Sequence, residues 1–175
     1  MRLSSARPGI ADRCRTIAVI LLLCMAAACS KNESKQLKIG SQPPPFSATA
    51  LSGEQITLAA YQGHPVVVRF FLTDCKFCRA DTPIFNDYFK KYQEKGLKIV
   101  YINTSAPNAE AVKAFAEELA IPFPVIYDTD GQIAKQYHIK AQPLALFLDP
   151  DQKLIAALLG GVTAPQMEEI LGRFF

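Results

Sequence analysis

The chain has 175 residues, of which 50% are hydrophobic and 20% charged, with five Cys, no Trp and a formal net charge of +3. A chain of this length suits one domain of about 100 to 200 residues. The composition excludes a disordered, a collagen-like and a multi-span membrane protein. Five cysteines are too few for a disulfide-rich scaffold and odd in number, so their positions matter more than their count.

The excess positive charge lies at the N-terminus. Residues 1–15 contain four Arg and one Asp, so this segment alone carries +3 and the rest of the chain is balanced. A balanced surface has no field that attracts nucleic acid, and we expect no nucleic-acid partner. Residues 17–28, IAVILLLCMAAA, are wholly apolar. As a helix they would span about 18 Å, whereas a bilayer core is about 30 Å thick. We therefore predict that residues 1–28 are a secretory signal peptide.

Cys29 follows the small residues 26–28 and precedes a polar stretch. This arrangement resembles the lipobox of a bacterial lipoprotein, although Ala26 stands where such boxes usually have Leu. The resemblance implies that Cys29 is lipidated and that the chain is held on a membrane by its lipid. Simple secretion is the alternative, because Ala26 and Ala28 also suit ordinary signal peptidase.

Residues 29–45 are polar and end in three consecutive prolines, which predicts a tether with a semi-rigid spacer. Residues 46–175 are predicted to form one domain. Its first elements are a hairpin (46–50 and 55–58), a strand (66–72) and a helix (75–95). The strand is apolar and β-branched, as is typical of strands covered on both faces. An aromatic stripe along the helix is predicted to be core and consists of Phe77, Ile84, Phe85, Tyr88, Phe89 and Tyr92.

The second half of the domain alternates strands with helices. Asn108 and Thr163 are residue types that cap helix N-termini, and Gln166 completes a capping box with Thr163. The predicted order is a strand (97–103), a helix after Asn108, a strand (123–127), a short helix (132–137), a hairpin (144–148 and 154–159) and a helix after Thr163. This order predicts an α/β domain with a mixed sheet and helices on both faces.

Cys75-Lys76-Phe77-Cys78 lies where the buried strand passes into a helix. The unpaired N–H groups and positive dipole end of a helix N-terminus stabilise a thiolate. Cys75 is therefore the predicted nucleophile, and Cys78, one turn on, the resolving thiol. A zinc site would need further ligands, which the spacing of His64 and His138 does not supply, so no metal is predicted. A static disulfide closing so short a loop would add little stability.

The segment FFLTDCKFCRADTP resembles the active-site segment of the extracytoplasmic TlpA/ResA group of thioredoxin-like proteins. The resemblance continues through PFPVIYDTDGQIAKQYHIKAQPLALFLDPDQKLI. It implies a thioredoxin fold with an N-terminal β-hairpin and a central helix-strand insertion at about residues 108–127. It also implies a redox-active disulfide between Cys75 and Cys78, and it places Pro143 on the group's cis-proline.

Two further site roles are expected. Asp81, about one turn from the cysteine pair, could accept the Cys78 proton during resolution if burial raises its pKa. An ordinary exposed aspartate in the first turns of a helix is the alternative. Gln142 and Pro143 are expected to bind substrate, because a cis bond before a buried strand leaves the Gln142 backbone free to pair with a peptide.

These observations favour a thiol-disulfide oxidoreductase that reduces disulfides of exported proteins in the periplasm. The resemblance implies apocytochromes c among the clients and a membrane-embedded thiol as electron donor. We expect a monomer with no organic cofactor. Phe71 and Asp74 replace two Trp usual in the group. An oxidase or isomerase on the same fold therefore remains an alternative, as does a copper carrier using the two thiols and His138.

Overall fold

The computed structural model describes residues 37–175. The predictions for the signal peptide (1–28), for Cys29 and for the beginning of the tether lie outside the described residues. Within the described part, no helix has the length and apolar character that a membrane crossing requires.

The predicted elements form in the predicted order. The strands are β1 (Ser47–Thr49), β2 (Gln55–Thr57), β3 (Val66–Phe71), β4 (Lys98–Asn103), β5 (Val125–Tyr127), β6 (Leu144–Leu148) and β7 (Leu154–Leu159). The α-helices are α1 (Lys76–Tyr92), α2 (Ala109–Glu118), α3 (Gln132–Gln136) and α4 (Ala164–Leu171). Short 3-10 turns follow at Leu58–Tyr61, Gln93–Lys95 and Gly172–Phe174.

One five-stranded mixed sheet organises the domain, in the order β5-β4-β3-β6-β7. Strands β3, β4 and β5 are mutually parallel, whereas β6 runs antiparallel to β3 and β7 antiparallel to β6. β1 and β2 form a separate antiparallel hairpin. All six residues of β3 are buried, as their apolar run predicts for a central strand. The inserted α2 and β5 add a strand at one edge of this sheet.

The two faces of the sheet bury separate cores. Because side chains alternate along a strand, Val67 and Phe71 face the core beneath α1 and α2, and Val66, Val68 and Phe70 face the core beneath the hairpin and α3. The same alternation places the remaining residue of β3, the fully buried Arg69, on the face that α1 covers.

Helix ends agree with the capping residues in the sequence. The Asn108 side chain accepts a hydrogen bond from the Ala111 N–H, and Thr163 forms a reciprocal capping box with Gln166. Gly96, at φ 99°, follows the 3-10 turn that extends α1, and this left-handed conformation is one that glycine adopts without strain.

Residues 37–45 belong to the folded domain, which corrects the prediction of a tether and spacer up to residue 45. The Gly40 N–H donates to the Leu154 carbonyl at 2.7 Å, and the Leu154 N–H donates to the Ser41 carbonyl at 2.9 Å. The Tyr137 hydroxyl donates to the Pro44 carbonyl at 2.7 Å, and Pro43 is buried. These backbone contacts with distant elements are invisible in a polar, proline-rich composition.

Phe77 also departs from its prediction as a core residue, because 52% of its surface is exposed. Its neighbours in the aromatic stripe, Phe85 and Tyr92, are buried as predicted. Helical spacing alone does not reveal that Phe77, the second residue of α1, lies on an exposed side of its first turn.

Candidate active site

Cys75 and Cys78 lie at the junction of β3 and α1, where the sequence predicts them. Cys75 is the N-cap of α1, and its Sγ accepts a hydrogen bond from the Cys78 N–H at 3.1 Å. An N–H donor and the positive end of the helix dipole therefore both face this sulfur. The two cysteines are free thiols in the structure, Cys75 partly exposed and Cys78 buried. Of the two cysteines, only Cys75 is partly accessible, as a nucleophile must be.

The Cys78 thiol is strongly biased towards its protonated form. Burial, reinforced by a hydrogen bond with Cys75, raises the pKa of Cys78 to about 12, although the positive charge of Arg69 acts in the opposite direction. A thiol must lose its proton before it attacks a disulfide. A nearby base is therefore needed for resolution at neutral pH.

Asp81 is a buried carboxylate, 4% exposed, and not the exposed helix-end aspartate that was the alternative. Its Oδ2 accepts hydrogen bonds from the Arg69 guanidinium and from the Val162 N–H, the latter at 2.8 Å. Its Oδ1 is buried without a partner among the described residues. Burial raises the pKa of Asp81, and the Arg69 charge and the Val162 hydrogen bond oppose this rise.

Arg69 is the site residue that the sequence analysis missed. Its side chain is fully buried and forms an ion pair with Asp81. It also donates to the Gly160 carbonyl at 3.2 Å, and its guanidinium lies 5.1 Å from the centre of the Phe85 ring. A single cation inside the run VVVRFFL was the available signal, because arginine is almost never buried without a partner.

The Gln142-Pro143 peptide bond is cis, at the position that the resemblance implies. Pro143 is buried, and its carbonyl accepts a hydrogen bond from the Gly160 N–H at 2.8 Å. The Gln142 side chain donates to Thr104 Oγ1 at 2.6 Å. Within residues 37–175, the Gln142 backbone makes no hydrogen bond to another backbone group. These backbone groups remain available, as the sequence analysis expects.

An apolar rim, defined as the exposed side chains of Phe77 and Leu159, flanks this loop. Leu159 is 65% exposed and pairs with Leu144, the residue after the cis-proline. Gly161, two residues beyond Leu159, approaches Phe77 so closely that an added Cβ would lie 3.6 Å from the phenyl ring. The rim and the cis-proline loop thus lie beside the first turn of the cysteine helix.

Arg79 connects the cysteine helix to the insertion. Its guanidinium donates to the Thr73 carbonyl at 3.0 Å and forms an ion pair with Glu118 at the end of α2. The same group lies 5.1 Å from the centre of the Phe115 ring. The loop before Cys75 is thereby held against α2.

The other residues singled out in the sequence lie at the margins of the site. Phe71 is buried and packs against Phe115, with the ring centres 4.8 Å apart and the rings tilted by 32°, and Asp74 is exposed. His138 has a left-handed backbone, φ 52°. Within residues 37–175, no three His, Cys, Asp or Glu side chains are grouped so that they could hold a metal.

A mixed sheet carrying a Cys-X-X-Cys pair at a helix N-terminus, beside a cis-proline, defines the thioredoxin-like class of proteins. The chain belongs to the AhpC/TSA family, whose model matches residues 39–157.

Comparison with related proteins indicates which group within the thioredoxin-like class the chain resembles. The chain is 32% identical over 160 residues to the thiol-disulfide oxidoreductase ResA of Bacillus thuringiensis subsp. konkukian, covering 89% of this chain and 92% of the relative. It is 34% identical over 140 residues to ResA of Bacillus cereus ATCC 10987, with 80% of each chain covered. The crystal structure of a Chlorobium tepidum protein assigned as thiol:disulfide interchange protein DsbE matches with a TM-score of 0.72 and 26% identity. That match covers 79% of this chain and 99% of the other.

These comparisons confirm the resemblance to the ResA group and the thioredoxin-like fold. The protein is a thiol-disulfide oxidoreductase.

Proposed function

We propose that this oxidoreductase works outside the cytoplasm as a disulfide reductase of exported proteins, with Cys75 as nucleophile and Cys78 as resolving thiol. The unequal burial of the two sulfurs is the observation that carries the proposal. Cys75 is partly exposed and its Sγ accepts a helix N–H, whereas Cys78 is buried and held as a thiol. The reduced pair is therefore ready for attack at one sulfur only.

The first step is attack by the Cys75 thiolate on one sulfur of a client disulfide. A bond forms between Cys75 Sγ and that sulfur, the client S–S bond breaks, and the second client sulfur leaves with the electron pair and takes up a proton. The Cys78 N–H and the helix dipole stabilise the attacking thiolate.

The second step releases the client. Cys78 loses its proton, attacks Cys75 Sγ and forms the Cys75–Cys78 disulfide, while the client sulfur leaves as a thiolate and is then protonated. Asp81 is the proposed proton acceptor, through the unpartnered Oδ1. The high pKa of Cys78 makes such a base necessary, and the burial of Asp81 strengthens it as a base.

Client binding is assigned to the cis-proline loop and the apolar rim. The Gln142 backbone can add hydrogen bonds to an extended client segment, in the manner of β-strand addition. Phe77 and Leu159 offer exposed apolar contacts to side chains next to the client cysteine. The half-exposed phenylalanine inside the redox motif is thus explained as a binding residue.

The proposed location comes from the N-terminal sequence, and the proposed clients and electron donor come from the resemblance to the TlpA/ResA group. A signal peptide at residues 1–28 and lipidation at Cys29 would place the domain on the periplasmic side of a membrane. There it would reduce the cysteines of apocytochromes c before haem attachment. A membrane-embedded thiol donor would then reduce the Cys75–Cys78 disulfide again. The ResA and DsbE names of the relatives support the general activity.

The deciding experiment is the reduction potential of the Cys75–Cys78 pair, measured against glutathione or dithiothreitol buffers. A reductase requires a value near or below that of thioredoxin, about −270 mV, whereas a value near −120 mV would make the protein an oxidant. The client class is tested with a peptide that carries an oxidised Cys-X-X-Cys-His motif. Cys78→Ala should trap this peptide as a mixed disulfide on Cys75, and the control Cys75→Ala/Cys78→Ala should trap none.

A further inference from the structure

Arg69 has no place in the two steps described above, although it lies beneath the residues that perform them. It stands in the middle of β3, and its side chain is fully buried on the face that α1 covers. A buried guanidinium is unfavourable unless its partners compensate for lost hydration. The partners it has are therefore informative about its function.

The contacts of Arg69 join three parts of the site. Nη2 donates to Asp81 Oδ2 on α1, and Nη1 donates to the Gly160 carbonyl beyond β7. Gly160 in turn donates to the Pro143 carbonyl in the cis-proline loop. Asp81 Oδ2 also accepts the Val162 N–H. One carboxylate oxygen is thus fully engaged, and Oδ1 is left as the open acceptor.

We propose that Arg69 is a positioning residue for the resolving step: it keeps Asp81 ionised inside the protein and fixes Oδ2, so that Oδ1 is free for the Cys78 proton. This inference rests on the proposed function, in which Asp81 is the proton acceptor. It adds the reason why a carboxylate so deeply buried is still available as a base at neutral pH.

The proton transfer is balanced within the site. The proton passes from Cys78 Sγ to Asp81 Oδ1, which leaves a thiolate and a neutral carboxylic acid, while Arg69 stays positive throughout. The thiolate then attacks Cys75 Sγ, and the bond between Cys75 and the client breaks. If Asp81 were already protonated at the start, it could not accept the proton and resolution would slow.

The charged groups around Asp81 determine in which direction the pH dependence of the resolving step shifts when Arg69 is replaced. Arg69 faces Asp81 from β3, and Tyr101 from β4, where burial raises the pKa of the phenol and keeps it neutral. Cys78 lies three residues earlier on the same helix as Asp81. Burial favours the protonated carboxyl, and Arg69 favours the ionised one. Removing the Arg69 charge therefore raises the Asp81 pKa. The acid limb, which is the pH range over which the rate of the resolving step falls on acidification, then shifts to higher pH.

The test measures that acid limb directly. Reduced enzyme is mixed with a peptide disulfide and quenched with acid at a series of pH values, and decay of the mixed disulfide is followed by mass spectrometry. Arg69→Gln should move the midpoint up by about one pH unit or more, equivalent to a resolving rate about tenfold lower on the acid limb. Arg69→Lys retains the charge, so its midpoint should lie closer to that of the wild type than the midpoint of Arg69→Gln does. The exposed Arg173→Gln is the matched control for loss of one positive charge and should leave the midpoint unchanged.

Asp81→Asn separates this inference from the proposed function. If Asp81→Asn has the wild-type pH profile, Asp81 is not the acceptor and both assignments fall. If it abolishes the acid limb while Arg69→Gln leaves the midpoint unchanged, the Arg69 inference alone is overturned and the residue is structural. We expect Arg69→Gln/Asp81→Asn to match Asp81→Asn, since Arg69 acts through the carboxylate.

A spectroscopic measurement covers the case in which Arg69→Gln does not fold. The infrared difference between wild type and Asp81→Asn at pH 7 should show an ionised carboxylate. A protonated carboxyl band from Asp81 in the reduced wild-type enzyme at that pH would overturn the proposal.

Discussion

The two cysteines of the motif differ in what surrounds their sulfurs, although only two residues separate them. Cys75 Sγ receives a helix N–H and is partly open, whereas Cys78 is buried against Phe71 and the other residues of the α1-side core. Burial therefore acts on the second thiol and the helix dipole on the first. The positions of the two residues therefore support the proposed roles of Cys75 as nucleophile and Cys78 as resolving thiol.

Alkylation should distinguish the two thiols. At pH 8, a thiol whose pKa is about 12 is ionised to only about one part in 10⁴, and Cys78 is also inaccessible. We expect iodoacetamide to label Cys75 in the reduced enzyme and to modify Cys78 at least tenfold more slowly, as measured by peptide mass spectrometry over time. Cys75→Ser provides the control for labelling of Cys78 alone. Equal labelling rates in native protein would contradict the assigned roles.

At the scale of elements, the site forms where the first turn of α1 meets the end of β7 and the loop before β6. The apolar rim belongs to this junction, because Phe77 comes from the helix and Leu159 from the strand. Neither side chain is needed to fill a core, since both are more than half exposed. Their exposure supports the proposed contact of the rim with clients.

Replacement of the rim phenylalanine should weaken client binding without unfolding the domain. Phe77→Ser removes a half-exposed side chain, so we expect the free energy of unfolding to fall by less than about 1 kcal/mol. KM for a peptide disulfide should rise several-fold, because apolar contact with the client is lost. Ile39→Ser is the matched control, since Ile39 is 66% exposed but lies beside the opposite end of β7. A similar KM for both variants would exclude the rim as a binding surface.

Most helices and strands could be predicted because the local sequence signals agree with the positions that these elements take in the tertiary structure. Asn108 and Thr163 have the side chains that helix starts require, and the apolar run of β3 matched a central strand. β5 is shorter than predicted: it begins at Val125, after Pro124, which has no N–H to give to a sheet ladder.

The errors came from partners distant in sequence. Residues 37–45 appeared solvated by composition, yet their backbone groups bond to Leu154 and Tyr137. Arg69 was treated as part of an apolar strand and not as a site residue. Its partner Asp81 lies on the next element, and the ion pair forms only when the chain folds. The cysteine pair was accessible to prediction since its chemistry requires only adjacent residues at a helix start.

At the scale of the whole molecule, the predicted signal peptide and the proposed lipidation of Cys29 would decide where the domain acts. The proposed lipid anchor is tested by growth with labelled palmitate and by fractionation. We expect the label on the wild-type protein and its loss, with release from membranes, in Cys29→Ser. Cys24→Ser is the control, because Cys24 lies in the segment predicted to be removed, and it should leave anchoring unchanged. A wild-type protein that takes up no label and washes from membranes in salt would establish simple secretion instead.

The contacts made by residues 37–51 also bear on solubility. The backbone of Gly40 and Ser41 caps the start of β7, and Ala50 and Leu51 pair with the outer strand β5. Unpaired outer strands are templates on which other chains assemble into aggregates, and β7, LIAALL, carries no charge to discourage this. The segment leading into the domain therefore covers the outer backbone of β7 at Leu154 and that of β5 at Val125 and Ile126, where self-association could otherwise begin. At Leu154 it gives the uncharged outer strand β7 a covering that the side chains of that strand do not provide.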